Sequence, residues 1–305
     1  MSDEKSYSSP AALLSAVSAR AKKDAKERGV PAERLIREFE FSRLLARVFA
    51  EGSDRWILKG GQAMLVRLPD PRTTKDIDLL HHVDPSDLDA AVDHLREALA
   101  RDLGDYFRFD ITKVDEVHEN DEQTGVQCRR VTVAVRCGAK EKHPIQIDIA
   151  ADSLMTEAPV MATFPAVELP KVLPPTVAVY PAVDHIADKV CATQATYAHG
   201  RASSRERDMV DLVLFAVTHG VRGRAVRTAV EAEWSHRGIA GPARFDPPPN
   251  WRSRYPKTAR KVSALTEYAD FDSASRLLSD FLDPALSGAV DGHTWNPETV
   301  SWEQQ

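Results

Sequence analysis

The stretch that most restricts what this chain can fold into is "WILKGGQAMLVRLPDPRTTKDIDLLHH", Trp56 to His82. "RWIL" reads as a short strand, "GQAMLVRL" as a helix, and "KDIDLL", which alternates polar and apolar residues, as a second strand. Gly60 and Gly61 stand where the first strand gives way to the helix. Alternate residues of a strand share a face, so Asp76 and Asp78 point one way while Ile77 and Leu79 point the other, into a core. Two carboxylates about 5 Å apart repel by about 3 kcal/mol at an effective dielectric near 20. A dication between them converts that repulsion into binding, and Mg²⁺ suits the position because it takes carboxylate oxygens while keeping waters and substrate phosphates. The glycines offer the complement. They let the backbone approach a ligand closely, and they open a helix whose free N–H groups and positive dipole end suit phosphates, with Lys59 adding charge.

A third carboxylate is expected from "IQIDIA". Ile145, Ile147 and Ile149 form its buried face, and Asp148 faces the other way beside Gln146 and Ala150. If this strand neighbours "KDIDLL", three carboxylates converge on one sheet face, the arrangement used for two-metal phosphoryl transfer. A DxD pair alone is more often an ordinary solvent-facing strand end. The specificity lies in the order: glycine turn, DxD strand, third strand aspartate.

Around this unit the chain reads as mixed α/β. Ser9-Pro10 caps a first helix with Leu13, Leu14 and Val17 on its face, and a longer helix begins near Pro31 after Gly29. Asp84-Pro85 is expected to cap a helix bearing Leu88, Val92, Leu95 and Leu99. "YFRFDIT" and "RRVTVAVRC" read as a strand pair joined by the acidic loop "DEVHENDEQTG". Residues 159–181 are proline-rich and read as an extended crossing. Helices are expected at about 182–199, 204–219, 223–236, 257–268 and 272–282, the second opened by a Ser203-x-x-Glu206 capping box. Three parts follow: an N-terminal helical arm (1–54), an α/β core with a mixed sheet (55–180) and a helical C-terminal lobe (181–305).

Composition narrows the setting. No run of 18 apolar residues is present, so a membrane span is not expected, and the N-terminus lacks the apolar segment of a secretory signal. Cys128, Cys137 and Cys191 form no CxxC pair, which fits reduced thiols and a cytoplasmic protein. The net charge of −6 argues against a general nucleic-acid coat, yet residues 201–261 hold 13 Lys and Arg against 6 Asp and Glu. That segment, with Trp234, Trp251 and Tyr255, is the expected RNA-facing surface. Walker A, HExxH, GxSxG and GxGxxG motifs are absent. His81 and His82, adjacent on a strand, point to opposite faces and read as structural or rim residues.

"LKGGQAMLVRL…RTTKDIDLL" closely resembles the AbiEii/AbiGii toxin family, which includes the MenT-like toxins. Its members are nucleotidyltransferases of the DNA polymerase β-like superfamily and toxins of bacterial toxin–antitoxin pairs. A second match lies in "VDHIADKVCATQATYAHGRASSRERDMVDLVLF", where a helix lysine and an Arg-Asp-x-x-Asp-Leu helix map onto Lys189 and onto Arg207, Asp208, Asp211 and Leu212. The resemblance covers about Leu58 to Phe215. It implies that Asp76, Asp78 and Asp148 hold Mg²⁺ and that Lys59, Gly60, Gly61, Lys189 and Arg207 contact a nucleoside triphosphate. Asp148 would aid deprotonation of the acceptor, and Asp211 would position Lys189 or the nucleotide. The implied acceptor is the tRNA 3′ end, the outcome blocked translation, and the partner an antitoxin encoded alongside. A small-molecule or protein hydroxyl as acceptor, or a non-catalytic nucleotide-binding role, are the rival readings. One departure stands out: superfamily members often carry Gly-Ser where this chain has Gly61-Gln62. Arg207 and Asp211, four apart on a helix, are expected to pair, and Lys189, with no acidic residue at i+4, is expected to be free for phosphate. Thr73 and Thr74, just before the DxD, are candidates for modification by an antitoxin.

Overall fold

A computed structural model of the chain describes residues 7–50, 55–68, 74–82, 87–117, 128–151, 153–194 and 205–304. Ser9 caps α1 (Pro10–Arg28) by accepting from the Ala12 amide at 3.1 Å, and Gly29, at φ +67°, ends it in the left-handed conformation. Pro31 precedes α2 (Ala32–Val48). After β1 (Trp56–Lys59), α3 (Gly60–Arg67) and β2 (Asp76–His81) comes α4 (Leu88–Leu99). The cap of α4 is Asp87, whose carboxylate accepts from the Ala90 amide; the expected cap at Asp84-Pro85 lies outside the described residues, as do Ser203 and the middle of the acidic loop.

β3 (Phe107–Val117), β4 (Cys128–Cys137) and β5 (Lys140–Ala150) form an antiparallel meander. With β1, β2, β6 (Val160–Thr163) and β7 (Thr176–Val179) they build one seven-stranded sheet of order β3-β4-β5-β2-β1-β7-β6. The sheet is mixed: β2 runs parallel to β5, and β1 parallel to β7 but antiparallel to β2. The proline-rich crossing therefore contains two strands. They are four residues each, and the prolines bracket rather than interrupt them, so little periodicity remains to be read.

One face of the central strands is apolar. Leu58, Ile77, Leu79, Val131, Val133, Ile145, Ile147 and Ile149 pack with Leu13, Val17, Phe39, Leu44 and Leu45 of α1 and α2 and with Leu95 of α4. Fully burying each such side chain contributes about 1.5–3 kcal/mol. Polar contacts lock α2 to this layer. Arg47, fully buried, donates to Asp105 at 2.7 Å and to the Phe107 carbonyl at 2.8 Å, while Arg43 donates to Asp105 at 2.7 Å.

The C-terminal helices form a second apolar cluster, into which α3 inserts Met64 and Leu68. They are α5 (Ala182–Gln194), α6 (Glu206–Thr218), α7 (Gly223–His236), the short α8 (Tyr255–Ala259), a 3-10 turn at Ser263–Tyr268, and α9 (Phe271–Leu286). A hairpin that the sequence pattern did not reveal, β8 (His293–Asn296) and β9 (Ser301–Gln304), closes the cluster by burying Trp295. Trp234, Trp251 and Tyr255 belong to this core, at 5%, 0% and 0% exposure. The aromatic part of the expected RNA-facing surface is thus corrected: those rings fill the lobe, while Arg252, Arg254 and Lys257 beside them are exposed. No described helix is long and apolar enough to cross a membrane.

Burial raises the carboxyl of Asp105, but hydrogen bonds and charge from Arg47 and Arg43 more than offset this and hold it below the usual range. A folded-state pKa below the unfolded one contributes stability at neutral pH that is lost as pH falls below about 4. Removing one partner of a buried ion pair costs about 3–5 kcal/mol. Urea unfolding at pH 7 is therefore expected to find Asp105→Asn less stable by about that amount, with the difference from the parent chain shrinking toward pH 3.

Candidate active site

The register of four strands sets a row of charge across the sheet. Lys59 on β1 stands opposite Asp78 on β2, Asp78 opposite Asp148 on β5, and Asp148 opposite Arg130 on β4. Paired positions share a face, so all four lie on the side away from the Ile77–Ile147 core. Asp76, two residues before Asp78, is on the same face, opposite Gln146.

The glycine turn is fitted to this row. Gly60 adopts φ +61°, and a Cβ there would fall 1.9 Å from Asp78 Oδ2, so the helix start lies directly against the carboxylate. Gly61 packs closely on Thr74, where a Cβ would meet the threonine Cβ at 2.8 Å. No side chain caps α3, which leaves its first amides without a side-chain acceptor. Gln62, in the place where a serine is usual, is buried, with its amide nitrogen 3.4 Å from the Asp76 carbonyl. It braces β2 rather than offering a hydroxyl to phosphate. Thr74 is partly buried, and Thr73 lies outside the described residues.

The carboxylates repel one another. Burial, then the charges of Asp148 and Asp76, push Asp78 up to about 6, against smaller opposing effects of Lys59 and Lys189. Burial and Asp148 also raise Asp76. Asp148 is held differently: Arg130 donates to both of its oxygens at 2.8 Å. Among the described residues no three His, Cys, Asp or Glu side chains form a ready cation cage. The donor set nonetheless fits a hard dication. Asp76 and Asp78 offer oxygen ligands whose mutual repulsion such an ion relieves, and an ion bound by two carboxylates retains positions for water and phosphate.

The lysines are not free. The Lys189 ammonium, buried at 6% exposure, is 2.6 Å from Asp211 and 3.2 Å from Asp208. The sequence pairing of Arg207 with Asp211 is corrected accordingly: Asp211 takes Lys189, Asp208 takes Lys189 and Arg205, and Arg207 lies on the exposed side of α6. Lys189 is a held amine rather than a loose one, since Asp208 and Asp211 occupy successive turns of α6 facing α5. Burial raises the Asp208 carboxyl, but Lys189 and Arg205 outweigh it and bring the group down to about 2.

Lys59 is likewise engaged. It pairs with Asp188 at 2.6 Å, donates to Ser153 Oγ at 2.8 Å, and sits 4.5 Å from the centre of the Tyr180 ring. Arg237 of α7 completes the cluster, 3.0 Å from Asp188 and also paired with Glu233. Sequence reasoning named neither Arg130 nor Asp188. The Asp184–Asp188 spacing on one face of α5 is a signal that could have drawn notice to Asp188, whereas nothing short of strand register points to Arg130.

Comparison with known proteins adds a family and a fold. The family described as "Nucleotidyl transferase AbiEii toxin, Type IV TA system" matches residues 43–286. No curated protein sequence matches. Among solved structures, the chain is similar to MenT4, a nucleotidyltransferase toxin from Mycobacterium tuberculosis H37Rv, at 17% identity and a TM-score of 0.51, over 89% of this chain and 97% of that one. JHP933 from Helicobacter pylori aligns over 84% of this chain and 96% of its own at 13% identity and a TM-score of 0.43.

A carboxyl whose folded pKa exceeds its unfolded value binds more protons in the folded state, so stability falls as pH rises through that interval. Asp78, raised to about 6, therefore opposes folding at alkaline pH. Thermal unfolding without dication is expected to find Asp78→Asn more stable than the parent by about 1–2 kcal/mol at pH 8, with no gain near pH 4. An equal or lower stability at pH 8 would show that the carboxylates are not crowded.

Proposed function

The chain belongs to the AbiEii family of nucleotidyl transferase toxins, and on that premise we propose that it transfers a nucleoside monophosphate from a nucleoside triphosphate to the 3′ end of tRNA, with Mg²⁺, and so blocks translation in the cytoplasm. An antitoxin encoded alongside restrains it. The observation that carries this reading is the convergence of Asp76, Asp78 and Asp148 on one sheet face, against the uncapped start of α3 and within the electrostatic reach of Lys189.

Asp76 and Asp78 would hold Mg²⁺, with Asp148 as the third carboxylate; the ion, when bound, offsets the charge of the triphosphate and favours attack by a hydroxyl. The α3 amides at Gly60 and Gly61 face the phosphates. Lys189, fixed by Asp208 and Asp211, supplies a cation that does not have to be ordered on binding, and Lys59 is steadied by Asp188 in the same way. Arg207, exposed beside this group, meets the nucleotide or the acceptor's own phosphates. The acceptor 3′ oxygen forms a bond to the α-phosphorus, the bond from that phosphorus to the bridging oxygen breaks, pyrophosphate leaves, and the hydroxyl proton passes to Asp148.

Recognition of tRNA is electrostatic on this reading. Exposed Arg244, Arg254, Lys257, Arg260 and Lys261 lie in the basic segment, while its aromatic rings are committed to the core.

Incubation with labelled nucleoside triphosphates, Mg²⁺ and total RNA is expected to label the tRNA fraction. Asp76→Asn or Asp78→Asn should each reduce transfer by more than about 10²-fold with the fold intact, and Lys189→Ala should weaken nucleotide affinity and also lower stability, because it deprives buried Asp208 and Asp211 of their shared partner. The logarithm of the tRNA binding constant should fall with the logarithm of salt concentration with a slope of about −0.7 per phosphate neutralised. Label that appears on protein or small molecules but not on RNA would contradict the tRNA acceptor. Full transfer by Asp78→Asn would contradict the site.

A further inference from the structure

Resting on that reading of the carboxylate face, we infer that Arg130 is a displaceable guard of Asp148: it neutralises the third carboxylate in the ligand-free protein and yields it when a dication and nucleotide enter, its guanidinium then pairing with a phosphate of the nucleotide.

Four observations lead there. The first is charge. Asp76, Asp78 and Asp148 share one face, and of the cations near them Lys59 and Lys189 are bonded to other acids, Asp188 in one case and Asp208 with Asp211 in the other, while Arg37 is paired with Glu40. Among the cations of the described residues, Arg130 is the one hydrogen-bonded to a member of the triad. Three carboxylates and one guanidinium leave a charge of about −2, which one divalent ion balances.

The second is geometry. Arg130 lies opposite Asp148 in the β4–β5 register and makes the two-pronged contact that fixes both carboxylate oxygens. While that contact stands, one lone pair of each Asp148 oxygen is taken and a positive charge sits beside the carboxylate, so it is a weaker ligand for a dication and a weaker acceptor for a proton from an acceptor hydroxyl. The neighbouring Arg129 has a different occupation, pairing with Asp89 and Glu116.

The third is ease of exchange. The Arg130 and Asp148 side chains are 42% and 21% exposed. A pair so open to water contributes about 0–1 kcal/mol to stability, unlike the buried Arg47–Asp105 contact. It can part without unfolding anything.

The fourth is chemistry. A guanidinium fork that fits a carboxylate fits a phosphate equally well. Once Asp148 turns to the cation, Arg130 is left on the face where the triphosphate lies, and its flexible stem carries the charge to it. Arg130 is thus a positioning residue, acting on Asp148 before substrate arrives and on the nucleotide afterwards.

The test uses the full chain as parent, Arg130→Gln, Arg130→Lys and Asp78→Asn, each checked for folding by circular dichroism. Mn²⁺ is titrated by calorimetry without nucleotide, and a non-hydrolysable nucleoside triphosphate analogue is then titrated with Mn²⁺ present. Arg130→Gln should bind Mn²⁺ alone three- to tenfold more tightly than the parent, because Asp148 is released and a nearby positive charge is gone. It should bind the analogue about tenfold more weakly, because the phosphate partner is missing. Arg130→Lys, which loses the fork but keeps the charge, should fall between them on both scales and gives the same comparison if Arg130→Gln does not fold. Equal or weaker Mn²⁺ binding in folded Arg130→Gln would overturn the guard, and unchanged analogue affinity would overturn the handover to phosphate. Asp78→Asn separates the levels. If it binds Mn²⁺ as the parent does, the reading of the carboxylate face falls. If it loses Mn²⁺ while Arg130→Gln matches the parent, only the inference about Arg130 falls.

Discussion

Repulsion between aspartates is the constraint on which the rest of this molecule depends. Strand register sets Asp78 beside Asp148 and Asp76 one pleat away, an arrangement that a fold selected for stability alone would avoid. Around it the chain assembles compensations. The opposite face of the same strands is almost wholly aliphatic, with Ile77, Ile147 and Ile149 fully buried, and this supplies the apolar burial that keeps the strands in place. Gly60 surrenders its side chain so that the backbone lies against Asp78, and Arg130 caps the third carboxylate from the far side. The residual cost is the raised pKa of Asp78, set by its burial and the neighbouring carboxylates.

The two apolar clusters meet at this row through ion pairs. Lys59, at the end of β1, reaches Asp188 on α5, and Arg237 on α7 reaches the same carboxylate. Burial raises Asp188, yet the two cations overcome that and hold it well below the usual carboxylate range. Lys189, the next residue along α5, turns to Asp208 and Asp211 on α6. Lys59 and Lys189 are thus both fixed by acids of the C-terminal helices.

Local pattern made much of this legible. The strand–glycine–helix–strand unit reads from alternation in "KDIDLL" and from the glycine pair, and α1 reads from Ser9, Pro10 and Gly29, because each signal lies within a few residues of its consequence. The mixed α/β class follows from the same segments. Pairing between distant segments did not read. That β5 lies beside β2, and Arg130 beside Asp148, depends on how four strands order themselves, and no local period encodes it. β6 and β7 hid among prolines, and β8 and β9 are four residues each. Trp251 and Tyr255, in a basic and proline-rich stretch, looked like a surface for stacking bases. They are buried because a large ring in a small helical lobe removes more apolar area from water than any aliphatic neighbour can. The freedom assigned to Lys189 failed for a related reason: its partners lie 19 and 22 residues away on another helix, beyond any i,i+4 rule.

The most direct measurement of the central claim is a crystal of the chain grown with Mn²⁺ and a non-hydrolysable nucleoside triphosphate analogue, with anomalous diffraction collected at the manganese edge. The account predicts an anomalous peak within coordination distance of both Asp76 and Asp78 and of a phosphate oxygen, with the phosphates against the start of α3. Nucleotide bound elsewhere, or manganese away from both aspartates while nucleotide is present, would contradict it.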